Sequence, residues 1–363
     1  MRWYTQMPRC ILGLSVFGMS EISRPKSYRL VLILAGVVAV LGGAFVYLQR
    51  REISKSQPVA PTKSMLAVFR SGLWMIDANN NGRWDGPSGG DRICNLGQAG
   101  DIPLTGRWSL SSGPAMGVFR AGLWLLDSNG NGLWDKDDSV LSLGQAGDIP
   151  VVGDWNGDGR TKIGIFRNGL WLLDYDGDGK WEGPGKGDVL YTFGGPGDVP
   201  VIGDWNGSGK STIGIFHDGS WLLDTNGNGK WDGPTGGDKL VVLGQKGDVP
   251  LVGAWSGTTG IGAGIFRNGF WVIDWNGDGK WDGPAGGDRL CNMGGQPGEI
   301  PLVGDWRGDG KENIGLFLDG DWYLDIDGNG KWEGADKGEA LRRLGQKGDI
   351  PVIFDRHGRS TSY

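Results

Sequence analysis

The sequence predicts an all-β chain: a six-bladed β-propeller of four-stranded blades, its C-terminal strand closing the first blade, preceded by one N-terminal transmembrane helix. Three observations predict it. One block is written six times, and its marker phenylalanines Phe69, Phe119, Phe166, Phe216, Phe266 and Phe317 lie 47 to 51 residues apart. Each block holds four short apolar segments separated by glycine-rich turns. A unit of this size cannot bury its own apolar face, so the copies must pack on one another. Finally, the two ends of the array are complementary. The first copy begins at its second strand, Met65-Leu-Ala-Val-Phe69, and the chain finishes on an unpartnered first strand, Ile350-Pro-Val-Ile-Phe354-Asp355. Pairing them leaves no open sheet edge.

In chain order, residues 1–29 read as a cytoplasmic segment, with Met19 as an alternative true start. Leu30 to Leu48 is an uncharged run of 19 residues, enough helix at about 1.5 Å per residue to nearly span a hydrocarbon core of about 30 Å. Arg24, Lys26 and Arg29 precede it, and Arg50 and Arg51 follow. A cleaved signal peptide is the competing reading, but the apolar run is long for one and no small-x-small site follows it. A retained anchor at 30–48 with the N-terminus cytoplasmic is expected, placing the repeats outside, in the periplasm or extracellular space. Residues 49–64, rich in Ser, Pro, Lys and Gln, read as a linker. The repeats occupy 65–356, and 357–363 form a tail. Residues 1–64 carry nine Lys/Arg against two Asp/Glu, whereas 65–363 carry 27 against 40. The acidic repeat body argues against nucleic acid as a partner.

Within a copy, the first strand is the Val201-Ile-Gly-Asp204-Trp205 type and the second the Ile163-Gly-Ile-Phe166 type. Asn168-Gly169, Asp218-Gly219 and Asn268-Gly269 then signal type I′ hairpins, which need φ > 0. The third strand is Trp171-Leu-Leu-Asp174, and the fourth precedes a Phe-Gly or Leu-Gly pair. Gly153-Asp-Trp-Asn-Gly-Asp-Gly159 followed by Ile163-Gly-Ile-Phe166 resembles the FG-GAP/VCBS repeat of integrin α-like propellers. The resemblance covers residues 65 to about 356 and implies a propeller, with calcium in some loops between the first two strands. Those positions fall here on Asp154, Asn156 and Asp158, with Lys162 in place of the last Asp. Other copies give Asp204, Asn206, Ser208 and Thr212, or Asp305, Arg307, Asp309 and Asn313, while those beginning Arg107 and Ala254 have lost the pattern. One or two of these loops at most are expected to hold metal.

The loop between the third and fourth strands carries acids in all six copies. The sets are Asp77, Asn79, Asn81, Asp85; Asp127, Asn129, Asn131, Asp135; Asp174, Asp176, Asp178, Glu182; Asp224, Asn226, Asn228, Asp232; Asp274, Asn276, Asp278, Asp282; and Asp325, Asp327, Asn329, Glu333. This is the 1-3-5-9 spacing of an EF-hand-like loop with Gly at position 6, and hard oxygen donors in a tight loop suit calcium (Ca2+). The closing acid is expected at position 15, where five copies supply Asp91, Asp188, Asp238, Asp288 and Glu339. Simple Asx turns are the alternative, but turns do not require acids at positions 1 and 9 of every copy. Copy three, with five acids, is expected to bind most tightly, and the shortened copy two is the outlier.

Strand parity puts both acidic loops of every blade at one end. The other end gathers Arg70, Arg120, Arg167 and Arg267 near Asp101, Asp148, Asp198 and Asp248, read as salt bridges, with a ligand-binding rim as the alternative. His217 takes an Arg position there and reads as a surface variant. Seventeen of the nineteen tryptophans fall at three fixed positions, typified by Trp155, Trp171 and Trp181. They read as blade filler, with the Trp181 type, including Trp231, as the candidate for stacking on sugars. Cys94 and Cys291 share one repeat offset in non-neighbouring copies, which predicts free packed thiols. Two histidines and identically recurring acids offer no distinct acid–base pair, so an enzyme, even one acting on polysaccharide, is least favoured. The expected function is a membrane-anchored, calcium-binding extracytoplasmic adhesion or protein-interaction module, with a carbohydrate-binding propeller as the alternative.

Overall fold

The computed structural model describes residues 63–257, 260–335 and 337–355, all within a compact unit spanning Ala60–Tyr363. The expected cytoplasmic segment, the anchor at 30–48, nearly all of the linker, the tail at 357–363, Cys10 and the Met19 start lie outside the described residues. Among the described residues no helix is long and apolar enough to cross a membrane.

The chain forms a six-bladed propeller of four-stranded antiparallel blades. Blade three shows the plan, with strands Ile149–Gly153, Lys162–Arg167, Leu170–Leu173 and Val189–Thr192 paired in sequence order. In blade one the strand Met65–Arg70 pairs on one side with Leu73–Ile76 and on the other with Ile350–Phe354, in the register Met65↔Phe354 to Phe69↔Ile350. The second-to-third turns adopt φ > 0 at both central residues. Asn168 and Gly169 lie at 49° and 90°, as a type I′ turn requires. A Cβ on Gly169 would come within 2.3 Å of the Gly194 carbonyl oxygen, so that position is closed to other residues.

The core lies between successive sheets. Each third strand buries one tryptophan completely: Trp74, Trp124, Trp171, Trp221, Trp271 and Trp322. Its indole N–H donates to a backbone carbonyl just after the fourth strand, as Trp171 does to Phe193 at 2.8 Å. A second set, including Trp155 and Trp306, donates to the second strand of the same blade. Each such ring removes about 150–250 Å² from water, worth up to about 4–6 kcal/mol. The cluster of Leu302, Trp306, Phe317 and Trp322 from blade six packs on Leu66, Val68 and Ile353 of blade one, so the ring is continuous.

A polar clasp links neighbouring blades near the acidic end. The Thr161 N–H donates to the Arg107 carbonyl at 2.8 Å, and its hydroxyl accepts the Arg107 N–H at 2.9 Å. Ser211 and Asp154 repeat this, Glu312 does so with Ala254, and Ser64 with Asp305 joins blade one to blade six. Residue types vary at this position, so the repeat pattern did not reveal it.

Candidate metal centres at the blade ends

Each third strand is followed directly by a buried aspartate, the first position of the acidic loop. Its carboxylate accepts the backbone N–H of the position-6 glycine in every blade, for example Gly82 to Asp77 at 2.6 Å and Gly179 to Asp174 at 3.0 Å. That glycine has φ near +75° throughout and lies against the fourth strand of the preceding blade. A Cβ there would come 2.4 Å from Leu141 for Gly179, 2.0 Å from the Tyr191 ring for Gly229, and 2.2 Å from Cys291 Sγ for Gly330. Cys94 plays the same part beneath Gly132. Both thiols are buried and free, as expected, and burial raises that of Cys291 to about 11. The loop is thus a staple between blades as well as a turn.

Positions 3 and 5 form a chain of Asx turns. Asp176 accepts the Asp178 N–H at 3.1 Å, and Asp178 accepts the Lys180 N–H at 2.8 Å. The same pattern joins Asn79 to Asn81, Asn129 to Asn131, Asn226 to Asn228, Asn276 to Asp278 and Asp327 to Asn329. At position 9, Asp85, Asp135 and Asp232 accept amide protons from Asn81, Asn131 and Asn228, and Asn329 reaches Glu333 at 3.5 Å. Asx geometry accounts for these contacts without an ion.

It does not account for position 15. Asp91, Asp188, Asp238 and Asp288 are all buried, and one oxygen of each accepts the position-9 N–H, at 2.6 to 2.9 Å. Their other oxygen is buried with no hydrogen-bond partner, and both oxygens of Glu339 are in the same state. The Oδ1 atoms of Asp127 and Asp274 at position 1 are likewise unpartnered. An ionised oxygen buried without a partner costs several kcal/mol, and these are the residues that could hold a cation. In blade three, oxygens of Asp174, Asp176 and Asp188 lie within 4.8 Å of one another, and those of Asp176, Asp178 and Glu182 do the same.

The electrostatics agree. Burial raises the carboxyls of Asp77, Asp127, Asp224 and Asp274, against the pull of loop N–H donors. Asp174 is pushed up to about 6, by burial first and then by Asp188 and Asp176. Asp325 reaches about 6 as well, with Asp327 as its acidic neighbour.

Blade two departs from the expected offset. Its closing carboxylate is Asp138, at position 12, whose two oxygens accept the Ser128 and Asp135 N–H groups at 3.0 and 2.8 Å. Shortening of the loop moved the acid three residues forward, which a fixed-offset reading misses.

The loops between first and second strands behave differently. The Asp204 and Asp305 carboxylates accept loop N–H groups. In blade three, however, the Lys162 ammonium lies among Asp154, Asn156 and Asp158. Burial alone would raise Asp158, but hydrogen bonds from Arg160 and Lys162 carry it well below the usual carboxylate range. The metal position implied by the FG-GAP/VCBS resemblance does not fit here.

At the other end the arginines bridge within their own blades, as the salt-bridge reading expects. Arg120 meets Asp101 at 2.5 Å, Arg70 meets Asp349 at 2.5 Å, and Arg167 and Arg267 meet Asp148 and Asp248. His217 holds the same place with Asp198 at 2.5 Å. The loop tryptophans divide. Trp181 is half-buried against the core between blades two and three, whereas Trp134, Trp231 and Trp281 are 45%, 38% and 38% exposed.

No protein-family model matches this chain, and no curated protein matches it. Among solved structures it is similar to an Agrocybe aegerita lectin that specifically recognises non-reducing terminal N-acetylglucosamine. The TM-score is 0.51 at 12% identity, covering 82% of this chain and 97% of the lectin. That likeness shows the propeller fold.

Proposed function

We propose that this propeller is a calcium-stabilised binding module of the FG-GAP/VCBS type, held at a membrane by residues 30–48 and displayed outside the cytoplasm for adhesion or protein interaction. The observation that carries the calcium reading is the buried, unpartnered carboxylate oxygen at position 15. Asp188 is 3% exposed, one of its oxygens is unpartnered, and a carboxylate oxygen of the residue lies within 4.8 Å of oxygens of Asp174 and Asp176. Bound calcium would supply the positive charge that these oxygens lack, drawing on six to eight oxygen donors. Loops one, four, five and six share the buried position-15 carboxylate with an unpartnered oxygen, on Asp91, Asp238, Asp288 and Glu339. Blade two, whose Asp138 is satisfied by backbone N–H groups, is the weakest of the set.

Calorimetric titration of the full chain with calcium tests the reading. Several ions bound, with magnesium competing poorly, is the expected result. No heat and no bound ion would reduce the loops to turns.

A second reading, glycan binding, rests on the exposed Trp134, Trp231 and Trp281 at one loop position, flat apolar surfaces of the kind that stack on sugar rings. The lectin likeness supports it at the level of fold. Trp231→Ala with Trp281→Ala is expected to abolish any signal on a glycan array while leaving the unfolding midpoint nearly unchanged. Retention of binding would move the site elsewhere.

A further inference from the structure

The first-to-second-strand loop of blade three repeats the spacing of the acidic loops, with Asp154 at position 1, Asn156 at 3, Asp158 at 5 and the Arg160 carbonyl at 7. Lys162, at position 9, opens the next strand and folds its side chain back into its own loop. Its Nζ lies 3.1 Å from Asp154 Oδ1, 2.6 Å from Asn156 Oδ1, 2.8 Å from Asp158 Oδ1 and 3.2 Å from the Arg160 carbonyl oxygen. The residue is 3% exposed. An ammonium has three protons and no acceptor, so four oxygens at these distances saturate it.

We infer that Lys162 is the resident cation of this loop: a cation-binding frame that carries its own positive charge and therefore excludes a divalent metal. The same oxygens cannot hold both, because calcium needs its donors at about 2.3–2.6 Å from the point the ammonium fills. A buried lysine is costly unless paired and hydrogen-bonded, and here two carboxylates and two neutral oxygens meet that need. Position 9 is Thr212 in blade four and Asn313 in blade six, neither of which supplies a charge. The device also reaches the metal-type loop of its own blade. The Lys162 stem lies against Gly177, where a Cβ would approach its Cε to 3.1 Å, and Arg160 Nη2 donates to the Asp176 carbonyl at 3.3 Å.

Two measurements on the full-length protein test this. Lysine acetylation followed by mass spectrometry is expected to label Lys162 on the order of tenfold more slowly than exposed Lys180, equally in EGTA and in calcium chloride. Labelling as fast as Lys180, or labelling that accelerates when calcium is added, would overturn the inference. Calorimetry with calcium chloride on Lys162→Asp is expected to count one more ion than the wild type. An unchanged count in the folded variant would also overturn it. If Lys162→Asp does not fold, the wild-type labelling experiment decides alone.

Discussion

Blade three holds two loops written in nearly the same letters, and they balance their charge in opposite ways. Asp154-x-Asn156-x-Asp158-Gly159 is filled by the ammonium of Lys162. In Asp174-x-Asp176-x-Asp178-Gly179 the exposed Lys180 ammonium meets only Asp178, at 3.4 Å, and the outlying Asp188 presents a buried oxygen without a partner. The motif by itself therefore does not define a metal site. The two loops differ in the residue that closes them, lysine at position 9 in one and aspartate at position 15 in the other.

The largest effect that separates the two loops should come from their position-6 glycines. Gly179→Ala places a Cβ at φ +78° and 2.4 Å from Leu141, whereas Gly159→Ala does so at φ +86° with Leu110 3.4 Å away. The left-handed backbone costs each about 1–2 kcal/mol, and overpacking adds about 1–3 kcal/mol for Gly179 alone. Denaturant unfolding of the two variants should show Gly179→Ala as the less stable. Equal losses would mean that the metal-type loop is not wedged into the blade junction.

Next in size is Asp188→Asn, which keeps an acceptor for the Glu182 N–H and removes the charge. It should lose one bound calcium ion, and up to about 2.7 kcal/mol of stability when calcium stands at 100 times its dissociation constant. In EGTA it should match or exceed the wild type, because the repulsion with Asp174 is gone. A loss in EGTA as large as that in calcium would assign Asp188 a purely structural role.

The smallest effect is a pH dependence. Asp174 and Asp325 have folded-state values of about 6 against an ordinary 3.8. The folded, metal-free protein then binds more protons than the unfolded chain between about pH 4 and 6, so their contribution to stability falls as pH rises through that window. Calcium requires the ionised form, so its affinity should fall as pH drops through about 6. Melting curves in EGTA across this range check the first sign, and calcium titrations check the second. An apo midpoint that rises over the window on account of these groups would contradict the burial argument.

Much of this was legible from residue order alone. Apolar segments and Asn-Gly or Asp-Gly pairs located the strands and hairpins, because type I′ turns restrict their central residues. The 1-3-5-9-15 spacing located five loops, since loop geometry keeps those offsets rigid. Asp138 escaped because a shortened loop changes the offset while the backbone still brings a carboxylate to the same N–H. Lys162 was visible only as a departure from a resemblance, for its role depends on a side chain folding backwards. The clasp through Thr161, Ser211, Glu312 and Ser64 was invisible: several acceptor types do the same work between residues more than fifty positions apart.

The central claim is that the position-15 carboxylates complete calcium sites in the loops between third and fourth strands. Thermal unfolding of the full-length protein in calcium and in EGTA tests it most directly. A midpoint that rises markedly with calcium, and rises less for Asp188→Asn, is the predicted result. Identical midpoints in the two conditions would contradict it and leave these loops as inter-blade turns.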